Sequence, residues 1–165
     1  MSKVFISVGS NLGDRSSYIS LSINELKAHP SIKDIKKSSL METEPVGVKD
    51  QQYYINQILI VSTTLMPKDL LYILKSIEQR LGRVKRAPWA EREIDLDIIA
   101  YDDQSVITDE LSVPHRELMN RAFILKGCTE LMPSYVVPLY EKTVLTLYNE
   151  LKAEVSSQKI RVLAP

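Results

Sequence analysis

The chain has 165 residues, a length typical of one domain, with 44% hydrophobic and 25% charged residues. Its 21 basic and 21 acidic side chains give a formal net charge of zero, which argues against a partner such as nucleic acid or an anionic membrane. The only cysteine cannot form an intramolecular disulfide, and no apolar run approaches the ~18 residues that span a bilayer. Met1 leads into a strand-like run without a secretory signal pattern, so we expect a cytoplasmic location.

The first half of the chain predicts a strand, a helix and two further strands. Residues 4–8 form a β-branched and aromatic run that ends in a glycine-containing turn. Asp14 is a predicted helix N-cap, because apolar residues at helical spacing follow it. Residues 32–43 are only weakly strand-like, whereas residues 54–64 are dense in Ile, Val and Thr and predict a clear strand.

The second half adds a helix, a strand and a mainly helical end. Pro67 fits the first turn of a helix that Gly82 terminates. A basic loop follows, then a strand over 94–101 and helices over about 121–131 and 144–151. The order strand, helix, strand, strand, helix, strand predicts an α+β ferredoxin-like sandwich with an antiparallel sheet, extra C-terminal elements and one domain over 1–165.

Two carboxylates mark the most informative segment. In a strand, Asp95 and Asp97 share one face while Ile94, Leu96 and Ile98 share the other. At about 3.3 Å per residue, their Cα atoms are roughly 6.6 Å apart, a spacing from which two carboxylates can jointly hold hard cations, including two Mg²⁺ ions. The alternative is a strand with one solvated face, although aspartate is depleted in strands.

A basic loop precedes this strand and carries Arg83, Lys85, Arg86 and Arg92. Such cations can neutralise a metal-bound polyphosphate, and Trp89 in the same loop can close over a flat substrate. A solvated basic turn is the alternative for the loop alone. The sequence therefore favours a magnesium-dependent enzyme that moves a phosphate-containing group from ATP to a small planar substrate.

Other segments are ambiguous by themselves. Tyr54 and Asn56 share a strand face and can stack on and hydrogen-bond to a heteroaromatic ring, or form an ordinary mixed surface. His115 and Arg121 can contact a nucleotide or be structural. The turn over 9–13 lacks the Gly-Lys-Ser/Thr ending of a P-loop, and Cys128 lies in an apolar helical stretch that predicts a core position.

Taken together, these motifs resemble the 6-hydroxymethyl-7,8-dihydropterin pyrophosphokinase family of folate biosynthesis. The matching segments are residues 6–13, 43–47, 54–56, 81–84, 92–98, 113–115 and 120–123, which read ISVGSNLG, TEPVG, YIN, LGRV, REIDLDI, VPH and NRAF. The resemblance implies that ATP donates its β,γ-pyrophosphoryl unit to the pterin hydroxymethyl group and that AMP leaves. It also implies the ferredoxin-like fold, a monomer and a cytoplasmic location.

The resemblance further implies a role for each matching position. Asp95 and Asp97 match the ligands of two Mg²⁺ ions, and Arg83, Arg92 and Trp89 match catalytic residues on mobile loops. The positions that match the pterin pocket are Asn11, Thr43, Pro45, Val46, Tyr54, Asn56 and Phe123. The positions that match the ATP site are Glu78, Lys85, Arg92, Ile98, Ser112, His115 and Arg121.

Departures from the family pattern affect the loop and the nucleotide side. Ala90-Glu91 stands where the family often has Gly-Pro or Ala-Pro before the second arginine, and the basic loop is one residue shorter than in some members. Lys75 replaces a frequent glutamine and Arg116 a frequent tyrosine.

Two other functions are alternatives to the pyrophosphokinase interpretation. One is a metal-dependent nuclease, which needs more carboxylates and a basic surface, and the other is a ligand-binding regulatory domain without chemistry.

Overall fold

A computed structural model describes residues 1–45, 50–154 and 159–163. Its elements follow one another in the order β1 (Ser2–Ser10), α1 (Arg15–Ala28), β2 (Ile32–Lys37), β3 (Met41–Thr43), β4 (Tyr54–Thr63), α2 (Pro67–Arg80), β5 (Asp95–Tyr101), β6 (Val106–Ile107), β7 (Ser112–Val113), α3 (Ala122–Leu131), β8 (Val136–Val137), β9 (Lys142–Thr143), α4 (Val144–Glu154) and β10 (Ile160–Val162).

The main sheet is antiparallel and has six strands in the described part of the chain. Its path is β10-β3-β4-β1-β5, and β2 also pairs with β4 beyond the end of β3. The weakly strand-like stretch over 32–43 is thus two short strands that share one neighbour. Helices cover both faces, so the predicted α+β class with a ferredoxin-like arrangement is confirmed.

Alternate residues of each strand enter different core layers. Val4, Ile6 and Val8 pack in the layer that α1 and α2 cover. Phe5 and Ile58 pack in the opposite layer, which α3 and α4 cover. The sheet therefore buries side chains on both faces, which is why β1 is an apolar run with few polar interruptions.

Local signals place the helix ends where the sequence predicts them. The Asp14 carboxylate accepts the Ser17 N–H at 3.2 Å, which satisfies a free donor at the start of α1. Pro67 occupies the first turn of α2, and Gly82 follows that helix with φ +90°, a conformation that glycine adopts without steric cost.

The short strand β3 is held by its neighbours on both sides. Thr43 pairs with Tyr54 of β4 and with Ile160 of β10. The Glu42 carboxylate lies 3.1 Å from an Arg15 guanidinium nitrogen and 3.3 Å from one of Arg161. These contacts fix the backbone at Thr43, which borders the cavity described below.

Several short elements lie outside the predicted set. The strands β6 to β9 form two hairpins of two-residue strands, and β10 is only three residues long. Runs this short contain too few residues for a period to be recognised.

Cys128 is 1% exposed and its core position is confirmed. No helix among residues 1–45, 50–154 and 159–163 is long and apolar enough to span a membrane.

The close packing of α3 on β4 gives a stability prediction. A Cβ atom on Gly127 would lie 2.7 Å from the Ile58 Cβ and closer still to its Cγ1. Because a β-branched side chain in a strand cannot move aside easily, we expect Gly127→Ala to lower the free energy of unfolding by roughly 1–3 kcal/mol despite the better helix propensity of alanine. Denaturant unfolding measures this, with the exposed helical substitution Ser20→Ala as control. Unchanged or higher stability of Gly127→Ala would contradict the packing.

Candidate active site

A cavity of about 300 Å³ opens over one end of the main sheet. Its floor comes from β1, β4 and β5, and residues of the basic loop form part of its wall. The predicted site residues that line it are Thr43, Pro45, Tyr54, Asn56, Trp89, Arg92, Asp95, Asp97, Arg121 and Phe123. The structure therefore brings both predicted metal positions together with two of the predicted catalytic positions and five of the predicted pterin positions.

Strand register explains why these residues meet. Gly9 of β1 lies between Asn56 of β4 and Asp95 of β5, and Ser7 lies between Ile58 and Asp97. Cross-strand partners share a face of the sheet. Since Ile58 packs under α3, the polar residues continue the α3 face beyond the part that the helix covers.

The Asn56 carboxamide is held in one orientation. It is 5% exposed, and its Nδ2 donates to the Thr43 Oγ1 at 2.7 Å. Its Oδ1 lies so close to Gly9 that a Cβ atom there would overlap it. Burial, followed by the charge of Asp95, raises the pKa of the neighbouring Tyr54 hydroxyl above its usual value. This end of the cavity offers an aromatic ring and a fixed carboxamide.

Asp95 and Asp97 face the other end of the cavity with different partners. Arg92 donates from Nη1 to the Asp95 Oδ2 at 3.2 Å, and the Arg83 Nη1 lies 3.6 Å from the Oδ1. Asp97 has 32% of its side chain exposed in the recess, 4.0 Å from the His115 Nε2. Reduced solvation, followed by the charge of Asp95, raises the pKa of Asp97 above its ordinary value.

His115 lies beside Asp97 in a defined orientation. Its Nδ1 accepts the Glu117 N–H at 3.0 Å, so in the neutral ring the proton is on Nε2, which faces Asp97. Burial, followed by the charge of Arg121, lowers the pKa of His115. The side chain is thus a neutral donor near the carboxylate pair at physiological pH.

The carboxylate pair fits Mg²⁺ by its chemistry. The described residues contain no cluster of three or more His, Cys, Asp or Glu side chains that could enclose a metal ion. Mg²⁺ does not need one, because it binds through one or two carboxylates and takes its other ligands from water and substrate phosphates. Reduced solvation and then the charge of Asp95 raise the pKa of Asp97, and a bound cation would offset both effects.

Glu78 links the basic loop to β5 by hydrogen bonds. It is 2% exposed, and its Oε1 accepts from Arg83 at 2.6 Å and from Lys75 at 3.3 Å. Its Oε2 accepts the Leu96 N–H at 2.8 Å. A buried carboxylate is tolerated only with such partners, so Glu78 fixes Arg83 against the strand that carries the aspartates.

A second set of hydrogen bonds joins three loops above the cavity. The buried Asn11 accepts the Arg92 N–H at 2.8 Å and donates to the Gln51 Oε1 at 3.1 Å. Gln51 donates in turn to the Trp89 carbonyl at 2.7 Å. Asn11 thus positions neighbouring loops and does not line the cavity.

The remaining predicted residues lie behind the basic loop or away from the cavity. A second cavity of about 240 Å³ behind the basic loop is lined by Glu78, Arg83, Lys85 and Arg92 among others. The Ile98 side chain is 2% exposed and lies in the core on the opposite sheet face. Ser112 is partly buried and donates to the Pro114 carbonyl at 3.3 Å, and Val46 lies outside the described residues.

Sequence reasoning did not single out Ser7, Gly9 or Gln51, although each lines the cavity. A signal existed for the first two, since they are the small residues that alternate with buried Ile6 and Val8 in an otherwise apolar strand. Gln51 carries no comparable signal, because its role depends on contacts with two distant loops.

Residues 5–133 match the family model of 7,8-dihydro-6-hydroxymethylpterin-pyrophosphokinase. The chain belongs to this family. A 2-amino-4-hydroxy-6-hydroxymethyldihydropteridine pyrophosphokinase of Aquifex aeolicus is 37% identical over 142 residues, which cover 86% of this chain and 88% of the relative. That of Methylorubrum extorquens is 35% identical, with 83% and 87% covered. The predicted family, enzyme class and reaction are confirmed.

Solved structures of the family share the fold. A crystal structure of Plasmodium falciparum HPPK-DHPS with pteroate superposes with a TM-score of 0.75 at 16% identity, over 93% of this chain. The chain spans 43% of that solved chain, which is therefore more than twice as long as the matching part. At this identity the likeness supports the fold class alone.

The contact between Gly9 and Asn56 gives a prediction about this cavity. We expect Gly9→Ala to displace the carboxamide and to weaken pterin binding by roughly 10-fold or more, because a misplaced buried polar group loses its hydrogen bonds. ATP binding should change by less than about 2-fold, since Asn56 lies at the aromatic end.

Isothermal titration with each ligand separately measures both effects, and Gly13→Ala, in the turn that follows β1, is the control. Gly13 adopts φ +70° and its Cβ would meet only the flexible edge of Tyr18 at 3.3 Å, so its substitution strains the turn without touching Asn56. Equal losses for both ligands in Gly9→Ala would contradict the role of this contact.

Proposed function

We propose that the cavity is where this chain transfers pyrophosphate from ATP to the hydroxymethyl group of 6-hydroxymethyl-7,8-dihydropterin. One observation carries the proposal: a carboxylate pair faced by two guanidinium groups lies at one end of a cavity whose other end holds an aromatic ring and a fixed carboxamide. The first end suits a metal-bound polyphosphate and the second suits a pterin.

The pterin is assigned to the end formed by Thr43, Pro45, Tyr54, Asn56 and Phe123. Aromatic side chains bind a flat ring by stacking, and a carboxamide presents both a donor and an acceptor to its edge. Because Nδ2 of Asn56 already donates to Thr43, the carboxamide cannot flip without losing that bond. This supports Asn56 as the residue that reads the pterin edge.

Asp95 and Asp97 are assigned as the protein ligands of two Mg²⁺ ions. Bound there, Mg²⁺ would neutralise charge on the ATP phosphates and favour deprotonation of the pterin hydroxyl. Among the described residues, the one basic side chain paired with Asp97 is the neutral His115 ring at 4.0 Å, which leaves its carboxylate available to a metal. Asp95 must exchange its contacts with Arg92 and Arg83 for metal contacts.

Arg83 and Arg92 are assigned to the charge that develops as AMP leaves. In the transfer, the hydroxymethyl oxygen forms a bond to the β-phosphorus, the bond from that phosphorus to the α,β-bridging oxygen breaks, and the hydroxyl proton is released. Both guanidinium groups lie beside Asp95 in the substrate-free protein. When phosphates enter, they are close enough to transfer their hydrogen bonds to the departing oxygen, the step that preorganised cations accelerate most.

The other assignments complete the proposal. The residues that would contact ATP are Lys85, Ser112, His115 and Arg121. Glu78 would act by holding Arg83. Ile98 would act through its backbone, because its side chain is in the core. Trp89 is 57% exposed and would cover the bound pterin.

For the chain as a whole, we propose a monomer, a cytoplasmic location and one domain over 1–165. The single domain is supported by the two core layers, which share one sheet.

The product nucleotide tests the reaction directly. We expect AMP when the chain is mixed with ATP, Mg²⁺ and 6-hydroxymethyl-7,8-dihydropterin, and no AMP when pterin or metal is omitted. Chromatography of the nucleotides with mass detection of the pterin product measures this. ADP as the product would overturn pyrophosphoryl transfer in favour of ordinary phosphoryl transfer.

Substitution of one aspartate tests the assigned metal ligands. We expect Asp97→Asn to lower kcat roughly 100- to 1,000-fold while the pterin dissociation constant changes by less than about 3-fold, because the pterin end is built from other residues. Single-turnover kinetics and titration with pterin measure the two quantities. Asp103→Asn, in the exposed turn after β5, is the control, and comparable losses in rate and pterin affinity would refute the division of roles.

A further inference from the structure

A buried carboxylate at the base of the basic loop has no role in the assignments above. Glu93 is 7% exposed and precedes the strand that carries Asp95 and Asp97. Arg86 donates to it from both ends of the guanidinium, with Nη1 at 2.8 Å from the Oε2 and Nη2 at 2.5 Å from the Oε1. The Val84 N–H approaches the Oε2 at 3.4 Å. All these partners come from the loop itself.

The two halves of this contact differ in how firmly they are held. Glu93 lies between Arg92, whose backbone exchanges hydrogen bonds with Asn11, and Ile94, which is fully buried. Arg86 lies on the exposed side of the loop, where backbone bonds are sparse: within it, the Ala90 N–H donates to the Ala87 carbonyl. Glu93 is thus a fixed anchor, and the loop depends on side-chain contacts for its shape.

The contact also gives Arg86 a carboxylate partner of its own. Each arginine of the basic loop has one: Arg83 pairs with Glu78, Arg92 with Asp95, and Arg86 with Glu93. Without Glu93, the Arg86 charge would lie unpaired among these groups and compete for the same carboxylates. The two short bonds from the Arg86 guanidinium to both oxygens of Glu93 have the geometry of a bidentate, charge-assisted pair.

We propose that Arg86 and Glu93 form a clasp that positions the basic loop for catalysis, so that Arg83, Trp89 and Arg92 are presented to the cavity in one arrangement. Both are positioning residues: they act through the loop and do not contact the reacting atoms. The clasp rests on the proposed roles of Arg83 and Arg92. It deepens them by naming what holds these side chains before substrate arrives.

The clasp explains how the chain accommodates Ala90-Glu91 in its loop. Arg86 donates a further bond from Nη1 to the Glu91 carbonyl at 3.3 Å, so one guanidinium joins both ends of the segment 86–93. The segment closed in this way contains Trp89, whose φ of +67° is uncommon for a residue with a side chain and requires support from its surroundings. A cross-link by side chains supplies a restraint on the backbone that an isolated loop of this length lacks.

A double-mutant cycle with Arg86→Gln and Glu93→Gln tests the clasp. We expect each single variant to lower kcat roughly 10- to 100-fold, because small displacements of positioned groups have effects of that size, and we expect the double variant to be no worse than either single variant. The KM for pterin should change by a smaller factor than kcat, because Trp89 is the only residue of the loop that is assigned to the pterin. Arg86→Lys retains one of the two bonds and should recover part of the loss.

A second readout needs no substrate. Trp89 is the only tryptophan, so its fluorescence reports the loop directly. We expect acrylamide quenching of Trp89 to increase in both single variants and equally in the double variant. The control is Arg80→Gln with Glu25→Gln, a surface pair in which one guanidinium also donates twice, at 3.1 and 2.7 Å, away from the loop.

The outcomes separate the clasp from other readings. A loss of rate in Arg86→Gln with wild-type rate and quenching in Glu93→Gln would show that Arg86 acts on substrate directly and would overturn the clasp. Losses of rate that add in the double variant would overturn the clasp as well. So would a general loss of structure, seen as a pterin affinity and a free energy of unfolding that both fall together with the rate. If the wild-type chain formed no AMP, the proposed function would fail, whereas the quenching cycle would still confirm or refute the clasp.

Discussion

The site depends on the register with which β1 pairs on both of its sides. Gly9 faces Asn56 on one side and Asp95 on the other, and Ser7 faces Asp97. A shift of one residue would turn the aspartates into the layer beneath α1 and α2, where Leu96 and Ile98 now pack. The hydrophobic core therefore enforces the register, and the register places the carboxylates and the carboxamide on one open face. The absence of a side chain at Gly9 is the local condition that lets Asn56 approach.

The charges of the site are balanced before any ligand is present. Glu78 holds Arg83, Asp95 holds Arg92 and Glu93 holds Arg86, so three carboxylates and three guanidinium groups near the cavity form ion pairs of short range. Buried or half-buried charges require this compensation. It also means that incoming phosphates, and a metal ion at Asp95, replace existing contacts, whereas Asp97 has no such ion pair to give up. Zero net charge for the whole chain is consistent with a field that is local to the cavity.

Residues with a strong local signal were predicted well. Asp95 and Asp97 were placed on one strand face and the intervening apolar residues on the other, because the side-chain period of a strand is two. The Asp14 cap and the end of α2 at Gly82 followed from backbone donors and a positive φ that glycine allows. The sequence does not predict the strands within the weakly patterned stretch over 32–43, the hairpins of two-residue strands, or β10. Such short strands form because they pair with a neighbour, and their own periodicity does not reveal them.

The sequence alone determined the alternation of strands and helices, the chemistry of the carboxylate strand and basic loop, and the family that their order indicates. Those features are local in the chain or depend on fixed spacings. Only the tertiary structure decided that Asn11 and Gln51 link three loops, that Ile98 faces the core, and that Arg86 is bound to Glu93. Each of these depends on which side chains meet across the fold, and a hydrogen bond between distant segments leaves no period in the sequence.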